Sequence, residues 1–292
     1  MTSDSTPLKV GLLGRAITAS SSPAIHEAEA ACLGLALTYD LFDFDVLGLA
    51  DDALADQLAQ LQQRGFSGVN VTHPFKQAVI PLLDDVDPTA AALGAVNCVT
   101  FRDGRMVGSN TDWIGFQFLL DQSLPNEPRD IVGQIGAGGA GSATAFALLE
   151  SGTRELRIHD SSAARIEALS SRLRLAFPEA RIVACASPSE AIDGARGIVQ
   201  STPVGMVRHP GMPFDPDLLS AGQWLADVIY FPRETELLKA ARQRGLATAD
   251  GAPMVIGQAA EAFRQFTGME PDRDRMLAAL DSGDGDAKRG AA

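Results

Sequence analysis

Apolar and polar positions along this chain alternate between two periods. Leu8–Gly14 (LKVGLLG) is a short apolar run that ends at glycine, the pattern of a buried strand. SPAIHEAEAACLGL follows with a helical pattern, where Ser22 reads as a cap and Pro23 suits the first turn. LTYDLFDFD alternates residue by residue and reads as a strand, and ADDALADQLAQLQQRG is an amphipathic helix closed by Gly65. FSGVNVT reads as a third strand, and KQAVIPLLDDV as the start of another helix. After a helix at WIGFQFLLDQSL and a polar, proline-marked break at PNEPRD, the alternation restarts. It runs through IVGQIGAGGAGSATAFALLESG, RELRIHD, AARIEALSSRLRLAF, RIVACA, GIVQSTPVGM and WLADVIYFP, with a late helix at APMVIGQAAEAFRQFTG.

Strands alternating with helices predict parallel sheets with crossover helices. The expectation is a two-domain α/β chain. Residues 1–114 form a first domain with a mainly parallel sheet, joined by C-terminal helices at about 252–281. Residues 115–251 form a Rossmann-type dinucleotide-binding domain, and 282–292 a disordered tail without apolar pattern.

Composition narrows the function. Lys and Arg number 24 against 37 Asp and Glu, for a net charge of −13, and no basic stretch stands out. Such a chain repels a phosphate backbone, so nucleic-acid binding is not expected. No apolar run is long enough to span a bilayer, and the first ten residues lack the pattern of a signal peptide, so a cytoplasmic protein is expected. Cys32, Cys98 and Cys185 read as reduced, mostly buried thiols, and the four histidines show no ligand spacing, so no metal is expected.

The most specific local signal is GAGGAG, Gly136 to Gly141, between the strand IVGQI and the helix SATAFALLE. In this G-x-G-x-x-G, Gly136 permits a tight turn, Gly138 lets the backbone approach a pyrophosphate, and Gly141 lets helix and strand pack closely. The helix N-terminus offers free N–H groups to the phosphates. About twenty residues on, at the end of the next strand, Asp160 stands where an acid holds the adenosine ribose of NAD. The same carboxylate repels the 2′-phosphate of NADP. Arg165, one helical turn further, could stack on adenine or reach a phosphate, so NADP stays possible. Asp160 also reads as an N-cap for the helix that follows.

Three polar clusters remain in the first half: SSSP (Ser20–Pro23), NVTHPFK (Asn70–Lys76) and GAVNCV…GSNTDWIGF (Gly94–Phe116). With GAGGAG, STPVGM, DVIYFP and GQAAEAF they resemble, in order and spacing, the shikimate dehydrogenase family, over the chain to about residue 270. SPAIHEAEA, THPFKQAV and YFPRETELLKAAR are most similar to its NAD-dependent quinate/shikimate dehydrogenase branch. Two departures separate the chain from the common NADP-dependent biosynthetic members. Ala19 stands where many have histidine, and Asp160 replaces the start of an Asn-Arg-Thr-type segment.

The resemblance implies that Lys76 and Asp112 are the catalytic pair, with Lys76 the proton acceptor. It implies a substrate set of Ser20 and Ser22 on a carboxylate, Thr72, Asn97 and Gln258 on ring hydroxyls, and Tyr230 at the border. For the cofactor it implies Gly136, Ala137, Gly138, Gly139, Ala140, Gly141, Asp160, Arg165, Thr202, Pro203, Met206, Val228 and Gly251. Read singly, Lys76 is an exposed lysine, Asp112 a helix cap and Met206 core packing. The implied reaction is reversible oxidation of the C3 hydroxyl of quinate or shikimate to 3-dehydroquinate or 3-dehydroshikimate, with hydride transfer to NAD, by a monomer or homodimer. The alternatives are an NADP-dependent shikimate dehydrogenase, a relative acting on another hydroxylated carboxylate, and a catalytically silent nucleotide-binding regulatory module.

Overall fold

The computed structural model describes residues 7–289, with side chains through Ser282. It divides into two compact units: residues up to Thr111 together with those from Ala259, and Asp112–Gln258. The second division falls inside one long helix.

The first unit is built on a six-stranded sheet. In chain order its elements are β1 (Leu8–Gly14), α1 (Ser22–Cys32), β2 (Leu37–Asp43), α2 (Leu54–Gln63), β3 (Gly68–Val71), β4 (Asp85–Val86), α3 (Pro88–Leu93), β5 (Cys98–Arg102) and β6 (Arg105–Ser109). The strands lie in the order β2-β1-β3-β5-β6-β4. β1 pairs parallel with β2 and β3, while β5 runs antiparallel to both β3 and β6. The β5–β6 hairpin was not expected. Its turn is Asp103-Gly104, both with positive φ (51° and 75°), the backbone that a two-residue hairpin with matching twist requires.

The helix expected over Lys76–Val86 does not form. Residues 74–79 make turns, Ile80–Leu82 a single 3-10 turn, and the chain then extends into β4. Pro81 explains the interruption, because its ring has no N–H to donate and collides with the carbonyl of the preceding turn.

The core of this unit packs Leu58, Leu61, Val69, Val71, Phe75 and Val99 on one side. On the other, Val10, Leu12, Tyr39 and Cys98 meet Ala262 and Phe266 of α9 (Ala252–Thr267). His26 lies against Tyr39, Phe263 and Phe266, and burial pushes its pKa down to about 3, so the ring is neutral. α10 (Arg273–Arg289) is tied to α1 by Arg275, which donates to both oxygens of the fully buried Glu29. α10 occupies most of the stretch from 282 expected as a disordered tail, and 290–292 lie outside the described residues.

The second unit contains α4 (Asp112–Ser123), β7 (Ile131–Ile135), α5 (Gly139–Glu150), β8 (Glu155–His159), α6 (Ala163–Ala176), β9 (Arg181–Ala184), α7 (Pro188–Ile192), β10 (Gly197–Gln200), β11 (Trp224–Asp227), α8 (Glu236–Gln243) and β12 (Ala247–Ala249), with the start of α9. Its six strands are all parallel in the order β12-β11-β10-β7-β8-β9. This is the doubly wound Rossmann arrangement, and the direction of strand progression reverses between β7 and β10.

Gly197 packs face-on against Trp224, which is wholly buried and donates its indole N–H to the carbonyl of Pro128. A Cβ at Gly197 would lie 2.0 Å from the Trp224 ring. Gly197→Ala is therefore expected to lower stability by about 1–3 kcal/mol or more through overpacking. Urea denaturation followed by tryptophan fluorescence measures this as a lower midpoint.

Candidate functional site

In the first unit, the expected substrate residues stand on loops at the carboxyl ends of β1 and β3 and at the entry to β5. β1 ends at Gly14, where a Cβ would come 2.5 Å from the Thr72 methyl, so glycine lets the two strand ends close together. Asp43, at the end of β2, is buried and accepts from the backbone N–H of Ile17 (2.8 Å), Asp45 (3.0 Å) and Ala16 (3.2 Å). Those bonds hold its carboxyl below the ordinary range against the opposing effect of burial. They also fix the loop leading to the serines, in which the carbonyl of Ile17 accepts from Ser20 N–H (2.9 Å). Ser22 is not the cap that the sequence pattern predicts. It is the first residue of α1, Ser21 precedes it without a side-chain capping bond, and Ser20 Oγ accepts from Ser22 N–H (3.3 Å). The two hydroxyls of Ser20 and Ser22 are 3.1 Å apart.

From Tyr39 a chain of buried polar groups crosses the sheet. Burial pushes the Tyr39 phenol above its ordinary pKa range. Tyr39 donates to Asn70 Oδ1 (3.0 Å), and Asn70 Nδ2 donates to the carbonyl of Asn97 (3.3 Å). The Asn97 amide is bonded to Thr111 twice: Oδ1 accepts from Thr111 N–H (2.7 Å), and Nδ2 donates to Thr111 Oγ1 (3.0 Å). The half-buried Lys76 joins the same region through its backbone, because its carbonyl accepts from Val96 N–H (2.8 Å), next to Asn97. Tyr39, Asn70 and Thr111 were not among the expected site residues. For Asn70 the signal available was a polar side chain inside the apolar strand GVNV.

In the second unit, Asp112 is buried and is the first residue of α4. Gln258 donates its side-chain amide to the carbonyl of Val255 (3.1 Å). Val228 and Gly251 are brought together, since a Cβ at Gly251 would lie 2.1 Å from the Val228 carbonyl oxygen. Tyr230 follows on the same half-buried loop.

The glycine turn has the geometry of a phosphate cradle. Gly136 has φ +113°, and a Cβ there would come 2.6 Å from Ser201 Oγ. A Cβ on Gly141 would lie 2.4 Å from the Gly136 carbonyl oxygen. Gly138 and Gly139 are open, with nothing within 4 Å of a built Cβ. The turn is thus closed where it packs on the sheet and open at the start of α5, where N–H groups face outward. Ala137 N–H donates to Asp160 Oδ2 (2.8 Å), and Ser162 N–H to Asp160 Oδ1 (2.8 Å). The N-cap of α6 is Ser162, not Asp160. Arg165 is largely exposed, with its guanidinium 3.9 Å from Asp160. These residues fit the pyrophosphate and ribose of a dinucleotide.

Two buried glutamines support this surface. Gln134, on β7, donates to the carbonyls of Gly136 (2.9 Å) and Gly141 (2.8 Å). Gln200, the last residue of β10, does the same for Thr202 and Val204. Pro203 and Met206 follow at the exposed tip of that loop. Among the described residues no group of three or more His, Cys, Asp or Glu could hold a metal ion, and no helix is long and apolar enough to cross a membrane.

Asp227, at the end of β11, is completely buried, and desolvation pushes its pKa up to about 6 although it accepts from Ile229 N–H and Thr235 Oγ1. The folded state therefore holds a proton that the unfolded chain, at 3.8, has already released. This contribution to stability is present below about pH 4 and is lost as pH rises to about 6. Asp227→Asn removes the loss. Its stability relative to the parent is expected to grow between pH 4 and pH 7 by up to about 3 kcal/mol, measured by urea denaturation across that range.

Comparison with known proteins places these features in a family. Residues 12–99 match the shikimate dehydrogenase substrate binding domain, and residues 251–280 the shikimate 5'-dehydrogenase C-terminal domain. A shikimate dehydrogenase (NADP(+)) of Streptomyces avermitilis is 48% identical over 95% of this chain and 96% of its own length. A quinate/shikimate dehydrogenase (NAD(+)) of Corynebacterium efficiens is 44% identical over 92% and 96%. Among solved structures, quinate dehydrogenase from Corynebacterium glutamicum in complex with NAD superposes with a TM-score of 0.90 at 42% identity, covering 94% of this chain and 99% of that one. The chain belongs to the shikimate dehydrogenase family of NAD(P)-dependent oxidoreductases.

Proposed function

We propose that the protein is an NAD-dependent quinate/shikimate dehydrogenase that oxidises the C3 hydroxyl of its ring substrate reversibly. The observation that carries the reading is the line of hydrogen bonds from Tyr39 through Asn70 and Asn97 to Thr111. It joins the polar segments around Asn70 and Asn97 into one array in the first unit, beside Lys76 and immediately before Asp112 in the chain. A small polyhydroxylated acid needs such an array, with hydroxyls for its carboxylate and amides that both donate and accept for its ring oxygens.

In this reading Ser20 and Ser22 hold the carboxylate, and Thr72, Asn97 and Gln258 bind ring hydroxyls, with Tyr230 at the border. Lys76 takes the hydroxyl proton during oxidation and returns it during reduction, when its ammonium polarises the ketone. Asp112 orients that amine. Bound NAD supplies the hydride acceptor. The turn Gly136–Gly141 with Ala137, Gly138, Gly139 and Ala140 receives the pyrophosphate, Asp160 the adenosine ribose and Arg165 the adenine. Thr202, Pro203, Met206, Val228 and Gly251 form the walls on the nicotinamide side.

NAD is favoured over NADP because the Asp160 carboxylate, fixed by two backbone N–H groups, faces the ribose position and repels a 2′-phosphate. The 48% identical relative named for NADP supports the second reading, an NADP-dependent shikimate dehydrogenase.

Lys76→Ala is expected to lower kcat by roughly 10²-fold or more with an unchanged melting temperature. Turnover close to the parent's would reject the role of Lys76. Steady-state kinetics with quinate and shikimate, each with NAD and NADP, test the substrate and cofactor. A higher kcat/KM with NAD is expected, and Asp160→Ala should narrow the ratio. A parent enzyme that prefers NADP would replace the first reading with the second.

A further inference from the structure

Gln200 is a polar side chain with no solvent exposure, placed at the end of a fully buried parallel strand. Such a group has to find partners for every donor and acceptor or carry a large desolvation cost. All of its side-chain partners lie in one short loop. Nε2 donates to the carbonyls of Thr202 (2.9 Å) and Val204 (2.8 Å), while Oε1 accepts from Thr202 N–H (2.8 Å) and Thr202 Oγ1 (2.9 Å). The loop's outer part makes its own turns, with Gly205 N–H donating to the carbonyl of His209 and His209 N–H to that of Met206, and Gly205 lies against Ile229 and Thr235. Met206 and Val207 are exposed there. Four hydrogen bonds at the root of the loop come from this one side chain.

Gln134 does the same on the neighbouring strand. Its amide donates to Gly136 and Gly141, and its Oε1 accepts from Thr144 Oγ1 (2.9 Å). Ser201 joins the two systems, because its hydroxyl reaches the carbonyls of Ile135 and Gly136, both at 3.1 Å. β7 and β10 are adjacent and parallel, and the strand order reverses between them. In a doubly wound sheet a dinucleotide lies across this reversal, with one mononucleotide over each half. The glycine turn belongs to the β7-β8-β9 half, beside Asp160, and the Thr202 loop to the β10-β11-β12 half. The two glutamines thus support opposite ends of one ligand.

We propose that Gln200 is a positioning residue for the nicotinamide end of the cofactor, acting through the Thr202–Val204 backbone, while Gln134 positions the pyrophosphate end through the glycine turn. The assignment rests on the reading of this unit as the NAD-binding half of the enzyme, and it makes a separable claim about binding.

ADP-ribose carries the adenosine, the pyrophosphate and the second ribose of NAD without the nicotinamide, so the ratio of the two affinities isolates the contribution of the nicotinamide ring. Calorimetric titration of the full-length protein with NAD and with ADP-ribose tests the claim. Gln200→Met keeps the length of the side chain and removes its hydrogen bonds. It is expected to weaken NAD binding by about tenfold or more, the effect of leaving buried loop carbonyls without donors, while ADP-ribose binds within about twofold of the parent. Gln134→Met is expected to weaken both ligands alike. Gln200→Glu retains the acceptors and removes the donors, and gives a second variant with the same expected split should the methionine variant fail to fold. Val199→Ala, a cavity in the same strand, controls for general loosening and should leave the ratio of the two affinities unchanged. Equal weakening of NAD and ADP-ribose in the Gln200 variants overturns the proposal, as do unaltered NAD affinity there and a shifted ratio in Val199→Ala. A parent protein that binds neither ligand, nor NADP, rejects the functional reading itself.

Discussion

The carbonyl of Gly136 accepts from the Gln134 amide and from the Ser201 hydroxyl, and it lies where a Cβ on Gly141 would have to go. Much of the second unit's chemistry depends on that crowded oxygen. Because it is bonded from below, the turn cannot relax toward the sheet. Because Gly141 leaves it room, α5 starts close against β7 and presents its first N–H groups at the strand end. The open side at Gly138 and Gly139 is then the direction from which an anion can approach. Substituting Gly136 or Gly141 would displace the strand–helix junction, whereas Gly138 is required by what approaches the turn rather than by what lies beneath it.

The first unit uses the same device with different groups. Tyr39, Asn70 and Asn97 are buried polar residues on or beside strands, and each places its polar end on the next. Unpaired, each would cost several kcal/mol; paired in a line, they hold the strand-end loops in one register. The loop carrying Ser20 and Ser22 is fixed at its other end by Asp43, whose carboxylate gathers the backbone N–H groups of Ala16 and Ile17. Ala16 has φ +53°, an unfavourable conformation for a residue with a side chain, and the Asp43 bonds compensate for it. In both units, then, a polar residue in the sheet fixes a loop at the carboxyl end of a strand, and the loop carries residues proposed to face the ligand.

This division explains what could be read from the sequence. Element types over β1, α1, β2 and α2, and the strand–turn–helix at Gly136, follow from hydrophobic period and glycine placement, which are local. The helix expected after Lys76 fails at Pro81, a local signal outweighed by the apolar pattern around it. The β5–β6 hairpin was missed although Asp103-Gly104 is a turn pair of the type that two positive φ values require. Asp160 was legible as the acid at a strand end, but its bond to Ala137 was not, because it joins segments 23 residues apart. Gln134 and Gln200 were visible as amides inside the apolar runs IVGQI and GIVQS. Their partners depend on how two non-consecutive strands come to lie side by side, which the period of a sequence does not encode.

The cofactor question shows how small a region can decide a specificity. Relatives named for NADP and for NAD are similar to this chain at 48% and 44% identity, so overall similarity does not separate them. In the proposed reading the discriminating chemistry lies at the end of β8. There Asp160, the acid proposed to face the ribose, is also a structural acceptor that joins the glycine turn to the start of α6. A protein that binds a 2′-phosphate at this place has to give up the carboxylate and find other partners for Ala137 N–H and Ser162 N–H. Changing Asp160 alone would remove the repulsion and loosen the turn together. A complete change of cofactor thus needs a donor at the phosphate and a replacement acceptor for the two backbone groups. Arg165, at 3.9 Å from the carboxylate and largely exposed, is already placed to supply the first of these.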